Sequence, residues 1–329
     1  MKEKEVKGKF FILISVRDLI SVRDVELILG DALLELDSIE KSSVDLVLTD
    51  PPYFLDKLDD NWSHEEVLKG KKSVGTVRYL PPGMKFSPRQ AKDFEEWFRE
   101  VAKKVLRILK PGGWFICFSA PRLFHRLIYA SEEVGFWIRD LFIWIYTINH
   151  PKAFSLNHFL DKLSVPEDRK EEISKELRMF KVPKVKNNYE PIMVAQKPPE
   201  GTLLENFIKY GVGLFNVKVL QGRGMFPSNV ITTETIDSIM DKYFLIEKPN
   251  REEKGSYNDH PSVKPISLVR FLIELTTKEG ALVVDPFMGS GTTALACVDT
   301  NRRFLGIEIN QHYYDISLKR LRDRKSRLF

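Results

Sequence analysis

Two short acidic phrases, Asp50-Pro51-Pro52-Tyr53 and Asp285-Pro286-Phe287-Met288-Gly289-Ser290-Gly291-Thr292-Thr293, carry most of the chemistry legible in this chain. The first sets a carboxylate and a rigidly held carbonyl beside an aromatic ring. The exocyclic amine of adenine or cytosine is a poor nucleophile, because its lone pair is delocalised into the ring. Asp50 and the Pro51 carbonyl can accept its two N–H bonds and favour a more tetrahedral nitrogen, with proline rigidity holding the carbonyl in place. Tyr53 offers a face on which such a base can stack. An amine presented in this way needs in-line placement against its electrophile more than strong acid–base help. A bare proline turn after a strand is the competing reading.

The second phrase reads as a cradle for a nucleotide-like ligand. Gly289 and Gly291 allow a tight turn and close backbone approach, and a helix starting at Thr292 would aim free N–H groups at the site. No lysine follows the glycine where a phosphate-binding Walker loop requires one, and the spaced three-glycine dinucleotide fingerprint is absent. Glu308 ends the run Phe304-Leu305-Gly306-Ile307-Glu308, where a carboxylate at a strand tip can accept both hydroxyls of a ribose. A plain strand-to-helix turn and an ordinary helix-start acid are the alternatives.

Both phrases follow apolar runs, Val44 to Thr49 and Ala281 to Val284. Each reads as the carboxyl end of a buried parallel strand, where open α/β sheets place their ligands. Around them, Val25 to Leu29 is a strand, Ala32 to Ile39 a short helix, and residues 54–91 a long polar loop. Apolar residues from Phe94 to Leu109 recur at helical spacing, and Lys110-Pro111-Gly112-Gly113 ends that helix. Strand Trp114 to Phe118, helix Leu123 to Val134 and strand Trp137 to Tyr146 follow. The segment 150–188 contains a charged helix from Glu167 to Phe180, and the proline in Glu190–Ala195 places that strand near a sheet edge. A helix from Ile266 to Thr276 and a closing helix from Gln311 complete the pattern, which predicts a doubly wound, mostly parallel α/β sheet.

The domain reading has four parts. Residues 1–24 form an extension, including the doubled Ser15-Val16-Arg17-Asp18 and Ser21-Val22-Arg23-Asp24 phrase read as extended edge structure. Residues 25–197 form a catalytic half, 198–258 an inserted target-recognition region rich in Gly, Asn, Thr and Pro, and 259–329 a cofactor-binding half.

Composition sets weak bounds. The 329 residues are 43% hydrophobic, enough for a full core, and the net charge of +5 permits a polyanionic partner without requiring one. Cys117 and Cys297 both sit in apolar runs, which favours inert buried thiols over a disulfide or a metal site. The six histidines lack metal-ligand spacing, so no metal is expected. The run Phe10 to Ile14 is too short to span a bilayer, and a reduced cytoplasmic location is the default.

Taken in order, the motifs resemble those of the S-adenosylmethionine-dependent DNA amino-methyltransferases, in the permuted β class, from about Val25 onward. The resemblance implies transfer of a methyl group from S-adenosyl-L-methionine to a flipped base in double-stranded DNA, with S-adenosyl-L-homocysteine as product. Asp50, Pro51, Pro52 and Tyr53 match the catalytic motif. Asp285, Phe287, Gly289, Ser290, Gly291 and Thr292 match the cofactor motif, and Glu308 the ribose-binding acid. Gly30-Asp31 matches a turn that meets the cofactor's adenine. In His260-Pro261-Ser262-Val263-Lys264-Pro265, Ser262 and Lys264 match residues bordering its methionine end; that phrase is equally readable as a helix entry.

Pro81 to Phe86, Phe118-Ser119 and Asn188-Tyr189-Glu190-Pro191 also resemble phrases of phage-associated members, without an assigned task. Lys85, Arg89 and Arg223 are candidate phosphate contacts, although basic loop residues are more often simply solvated. Aspartate at the head of the catalytic motif points to adenine N6, with cytosine N4 as the alternative. RNA or protein-glutamine methyl transfer and a silent DNA-binding relative rank lower. The resemblance leaves room for a cognate restriction endonuclease and for a homodimer.

Overall fold

The strands are β1 (Val25–Leu29), β2 (Val44–Thr49), β3 (Leu109–Phe118), β4 (Trp137–Ile145), β5 (Tyr189–Gln196), β6 (Val230–Thr232), β7 (Phe244–Leu245), β8 (Leu282–Asp285) and β9 (Arg303–Glu308). In the computed structural model they join one sheet in the order β1-β9-β8-β2-β3-β5-β4-β6-β7. The structure describes residues 25–53, 88–145, 156–160, 162, 164–180, 188–220, 228–232, 244–245, 249–260 and 262–326. Strands β1, β9, β8, β2 and β3 are mutually parallel. Only β5 runs against its neighbours, β3 and β4.

Side-chain alternation divides these strands between two cores. Leu46 and Leu48 of β2, Trp114 and Ile116 of β3, and Val283 of β8 face one layer. Val47, Phe115, Cys117 and Val284 face the other. Helices Ile266–Thr276 and Thr292–Asp299 cover the first face through residues such as Leu272 and Ala294. Helix Pro88–Ile108 covers the second with Phe94, Phe98, Val101 and Val105, four positions that its 3.6-residue period brings to one side. Fully burying one such side chain stabilises by roughly 1.5–3 kcal/mol, so layers on both faces hold the central strands firmly.

The order of connections creates the cleft. From β2 the chain crosses by helix Pro88–Ile108 to β3 on one side. From β8 it crosses by helix Thr292–Asp299 to β9 on the other side. β2 and β8 are adjacent, with Leu46 opposite Val283 and Val47 opposite Val284. Their carboxyl ends therefore mark the topological switch point, where loops diverge and leave a crevice.

Several expectations are corrected. Helix Pro88–Ile108 begins within the stretch read as loop 54–91, and the helix expected over Ala32 to Ile39 is α-helical only to Glu35, then a 3₁₀ turn over Leu36–Ser38. Lys110-Pro111-Gly112-Gly113 belongs to β3 rather than to a separate turn: Val44 pairs with Leu109 and Leu46 with Trp114, so these four residues bulge from the ladder. Gly112, at φ +75°, makes room for the Asn206 amide, and Asn206 Nδ2 donates to the Pro111 carbonyl at 3.0 Å. That contact docks helix Leu203–Tyr210 onto the sheet. Packing therefore continues across residue 198, and β6 pairs with β4 in the same sheet.

Strand β5 lies inside the sheet despite Pro191. In an antiparallel ladder a residue's N–H and C=O face the same neighbour. The Pro191 carbonyl accepts from Ser119 N, beyond the last β3 residue in the ladder, so the N–H that proline lacks falls where pairing has ended. The doubled Ser-Val-Arg-Asp phrase and residues 81–86 lie outside the described residues.

Candidate active site

Asp285 closes β8 and is almost fully buried. Its Oδ1 accepts from Thr49 Oγ1 at 2.7 Å and from Phe287 N at 3.1 Å, and its Oδ2 accepts from Thr293 Oγ1 at 2.6 Å. Burial pushes the carboxyl up to about 6, against the pull of these three donors, and the charge of Asp50 adds to the rise. Both oxygens thus serve the turn itself, tying the tip of β2 to the start of helix Thr292–Asp299.

The glycine turn follows. Gly289 has φ +53°, and a Cβ there would lie 2.7 Å from His260 Nε2. Gly291 has φ +78° and faces away, where a Cβ would lie 2.8 Å from Ser317 Cβ. Glu308, at the end of β9, accepts from Gly289 N at 2.9 Å and from Asn310 N at 2.8 Å, one bond to each oxygen. Burial raises its carboxyl above the usual range, opposed by these backbone donors. Beneath the turn, Arg320 Nη1 donates to the Ser290 carbonyl at 2.7 Å and to Thr292 Oγ1 at 3.1 Å. Burial lowers this guanidinium to about 10.

Asp50 stands one residue beyond β2. Its Oδ1 accepts from Tyr53 Oη, and its Oδ2 accepts from Lys264 Nζ and from Ser262 Oγ, the latter at 2.9 Å. Lys264 Nζ lies 3.3 Å from Glu190 Oε2 and 5.0 Å from the Phe118 ring centroid. Burial alone would push the Lys264 ammonium down; the carboxylates of Asp50 and Glu190 overcome it and hold the group above the ordinary lysine range. Burial and the same two carboxylates raise the Tyr53 phenol well above its usual value, so it stays protonated and donates.

One cavity of about 630 Å³ takes in both motifs. Asp50, Pro51, Pro52 and Tyr53 line it, as do Asp285, Phe287, Gly289, Ser290, Thr292 and Glu308. Asp31, Ser262 and Lys264 also border it. This volume suits a nucleoside-sized ligand with room for a second group. Gly291 shapes the turn from behind the wall. Asp31 accepts from Leu33 N at 2.8 Å and so caps the short helix Ala32–Glu35. Ser262 and Lys264, expected beside the methionine end of a cofactor, are placed directly on Asp50.

Lys85 and Arg223 lie outside the described residues, and Arg89 is described only as backbone in the first turn of helix Pro88–Ile108. The structure adds residues that the motifs alone did not single out. His260 packs against Tyr313 with ring centroids 4.5 Å apart, and its Nδ1 accepts from Ser262 N. Burial lowers this imidazole to about 4, aided by Lys264 and Arg320, so it is neutral at physiological pH. Trp97 reaches the wall and meets Phe287 at 5.4 Å between ring centroids. His260 and Glu190 lay inside phrases that were noticed; Arg320 had no local signal.

A DNA methylase family model of the N6/N4 type matches residues 44–319. The chain belongs to that family. This DNA methylase is 27% identical to the type II methyltransferase M.HindIII of Haemophilus influenzae, over 91% of this chain and 96% of that one. It is 26% identical to the DNA adenine methyltransferase YhdJ of Escherichia coli, over 89% and 81% respectively. Among solved structures, the cytosine-N4-specific PvuII DNA methyltransferase shares the fold at a TM-score of 0.55 and 21% identity, covering 92% of this chain and 91% of that one. A Thermus thermophilus protein solved with S-adenosyl-L-methionine matches at a TM-score of 0.52 and 19% identity, covering 91% and 95%. Among the described residues of this DNA methylase, no helix is long and apolar enough to cross a membrane.

Proposed function

We propose that this DNA methylase transfers a methyl group from S-adenosyl-L-methionine to the exocyclic amine of a base extruded from double-stranded DNA, with adenine N6 as target and S-adenosyl-L-homocysteine as product. The observation that carries the proposal is that Asp50 and the Gly289 turn, far apart in sequence, open on the same cavity.

The residues fit this cofactor. Each Glu308 oxygen is held by one backbone N–H and keeps acceptor capacity for a ribose hydroxyl. The absence of a Cβ at Gly289 lets a ligand approach the backbone closely. Asp31, in the turn expected to meet the cofactor's adenine, and Phe287 of the cofactor motif line the same cavity. When bound, the cofactor supplies an electrophilic methyl group on a sulfonium centre.

The chain's own part is presentation. Tyr53 offers its ring face to the extruded base, while Asp50 and the Pro51 carbonyl accept the two amine N–H bonds and turn the nitrogen lone pair outward. The β2–β8 pairing sets the amine site beside the cofactor site, and such placement is the main source of acceleration for in-line transfer. Thr49 and Thr293, acting through Asp285, hold the glycine turn at its required height.

Incubation with S-adenosyl-L-methionine and unmethylated DNA, followed by mass spectrometry of the nucleosides, should yield N6-methyladenine. N4-methylcytosine alone would move the target to cytosine, and neither product would sink the reading. Asp50→Ala should reduce turnover at least about a thousandfold, with cofactor affinity within about threefold of the native chain. Methylation-sensitive sequencing of DNA from expressing cells would map the recognised site. A cognate restriction endonuclease would cleave that same site, and light scattering would test a homodimer.

A further inference from the structure

Protein donors already meet both oxygens of Asp50, and Lys264 occupies Oδ2. Oδ2 already accepts from two donors, Lys264 Nζ and Ser262 Oγ, so a target amine that takes this oxygen requires one of them to yield. Ser262 is neutral and exposed, and its hydroxyl can turn to water. Lys264 cannot: it is 7% exposed, and a buried ammonium deprived of its carboxylate is strongly disfavoured.

A second carboxylate stands ready beside it. Glu190 Oε2 is buried and makes no hydrogen bond, yet lies 3.3 Å from Lys264 Nζ. Glu190 is held on β5 opposite Trp144 of β4, whereas Lys264 carries its charge on a four-carbon stem. The Phe118 ring flanks the ammonium and favours a cation along this wall.

We infer that Lys264 is a movable counter-ion: its ammonium shifts from Asp50 Oδ2 to Glu190 Oε2 as the target amine arrives, freeing Asp50 without stranding a buried charge. Glu190 is then a positioning residue that acts through Lys264. This inference rests on the methyl-transfer reading above, because it needs a base amine at Asp50.

The test is a double-mutant cycle on base capture. Affinity is measured, in the presence of S-adenosyl-L-homocysteine, for a duplex bearing the mapped target base and for the same duplex with an abasic position there. The ratio isolates the contribution of the base in its pocket and needs no turnover. Glu190→Gln should lower this preference about tenfold or more. In a Lys264→Gln background, where no ammonium has to be displaced, adding Glu190→Gln should change it less than about twofold.

In the native background, Glu190→Gln should also raise KM for DNA more than it lowers kcat, which a purely structural loss would not do selectively. A Glu190→Gln preference within twofold of the native protein would overturn the inference, as would an equal loss in the Lys264→Gln background. If the native chain methylates no DNA, the functional reading itself fails first; methylation without coupling defeats the counter-ion alone.

Discussion

Thr49 and Asp285 are 236 positions apart in the chain, yet Thr49 Oγ1 donates to Asp285 Oδ1 across 2.7 Å. This bond joins the tips of the two central strands, one leading to the Asp50 motif and the other to the glycine turn. Both ends are buried, so water does not compete for them. The relative height of the two motifs is therefore set by a side-chain bond as well as by the backbone ladder.

Thr49→Val keeps the shape and removes the donor. A hydrogen bond to a charged acceptor is worth about 1.5–3 kcal/mol, and the unfolding free energy in urea at pH 7 should fall by about that amount with an unchanged denaturant slope. Cofactor affinity, measured by calorimetry, should weaken as well, because Asp285 loses one of the donors that hold the turn. Native stability and affinity together would show the bond to be incidental.

Gly291→Ala should be more damaging than its distance from the cavity suggests. The left-handed backbone costs a residue with a Cβ about 1–2 kcal/mol, and the new methyl would sit 2.8 Å from Ser317 Cβ. The variant should lose about tenfold or more in cofactor affinity. Adding Ser317→Gly removes the collision while leaving the backbone strain, so the double variant should recover part of the loss.

The elevated Asp285 carboxyl gives stability a defined pH dependence. Its value is 3.8 in a free chain and about 6 when folded, so between these limits the folded state holds a proton that the unfolded chain has released. Stability from this group is thus greatest below pH 4 and declines as pH rises through 6, by about 2–3 kcal/mol in total. Asp285→Asn lacks this titration. The stability difference between native protein and variant, from urea melts, should be largest near pH 4 and shrink by about that amount at pH 7. A difference independent of pH would mean that Asp285 titrates alike in both states.

The two motif-bearing strands were legible from residues alone, because a parallel strand buried on both faces must be apolar along its length and its turn must carry proline or glycine. Val44 to Thr49 followed by Asp50-Pro51-Pro52-Tyr53, and Ala281 to Val284 followed by Asp285, display that pattern without any partner. The helix from Phe94 onward declared itself in the same way, by its 3.6-residue spacing. Strand β5 misled because a proline reports a missing N–H but not which neighbour, if any, that N–H would have faced.

Partnership was decided only in three dimensions. Which carboxylate neutralises Lys264, what lies against Gly289, and which guanidinium supports Ser290 all depend on strands and helices brought together from distant parts of the chain. Local periodicity tells a residue which way to face; it carries no record of what the facing element will be. The chain's own residues specified a proline-bent acidic tip and a glycine-bent acidic tip, and the folded sheet alone made them neighbours, since adjacency of β2 and β8 arises from the crossover order and from packing on both faces.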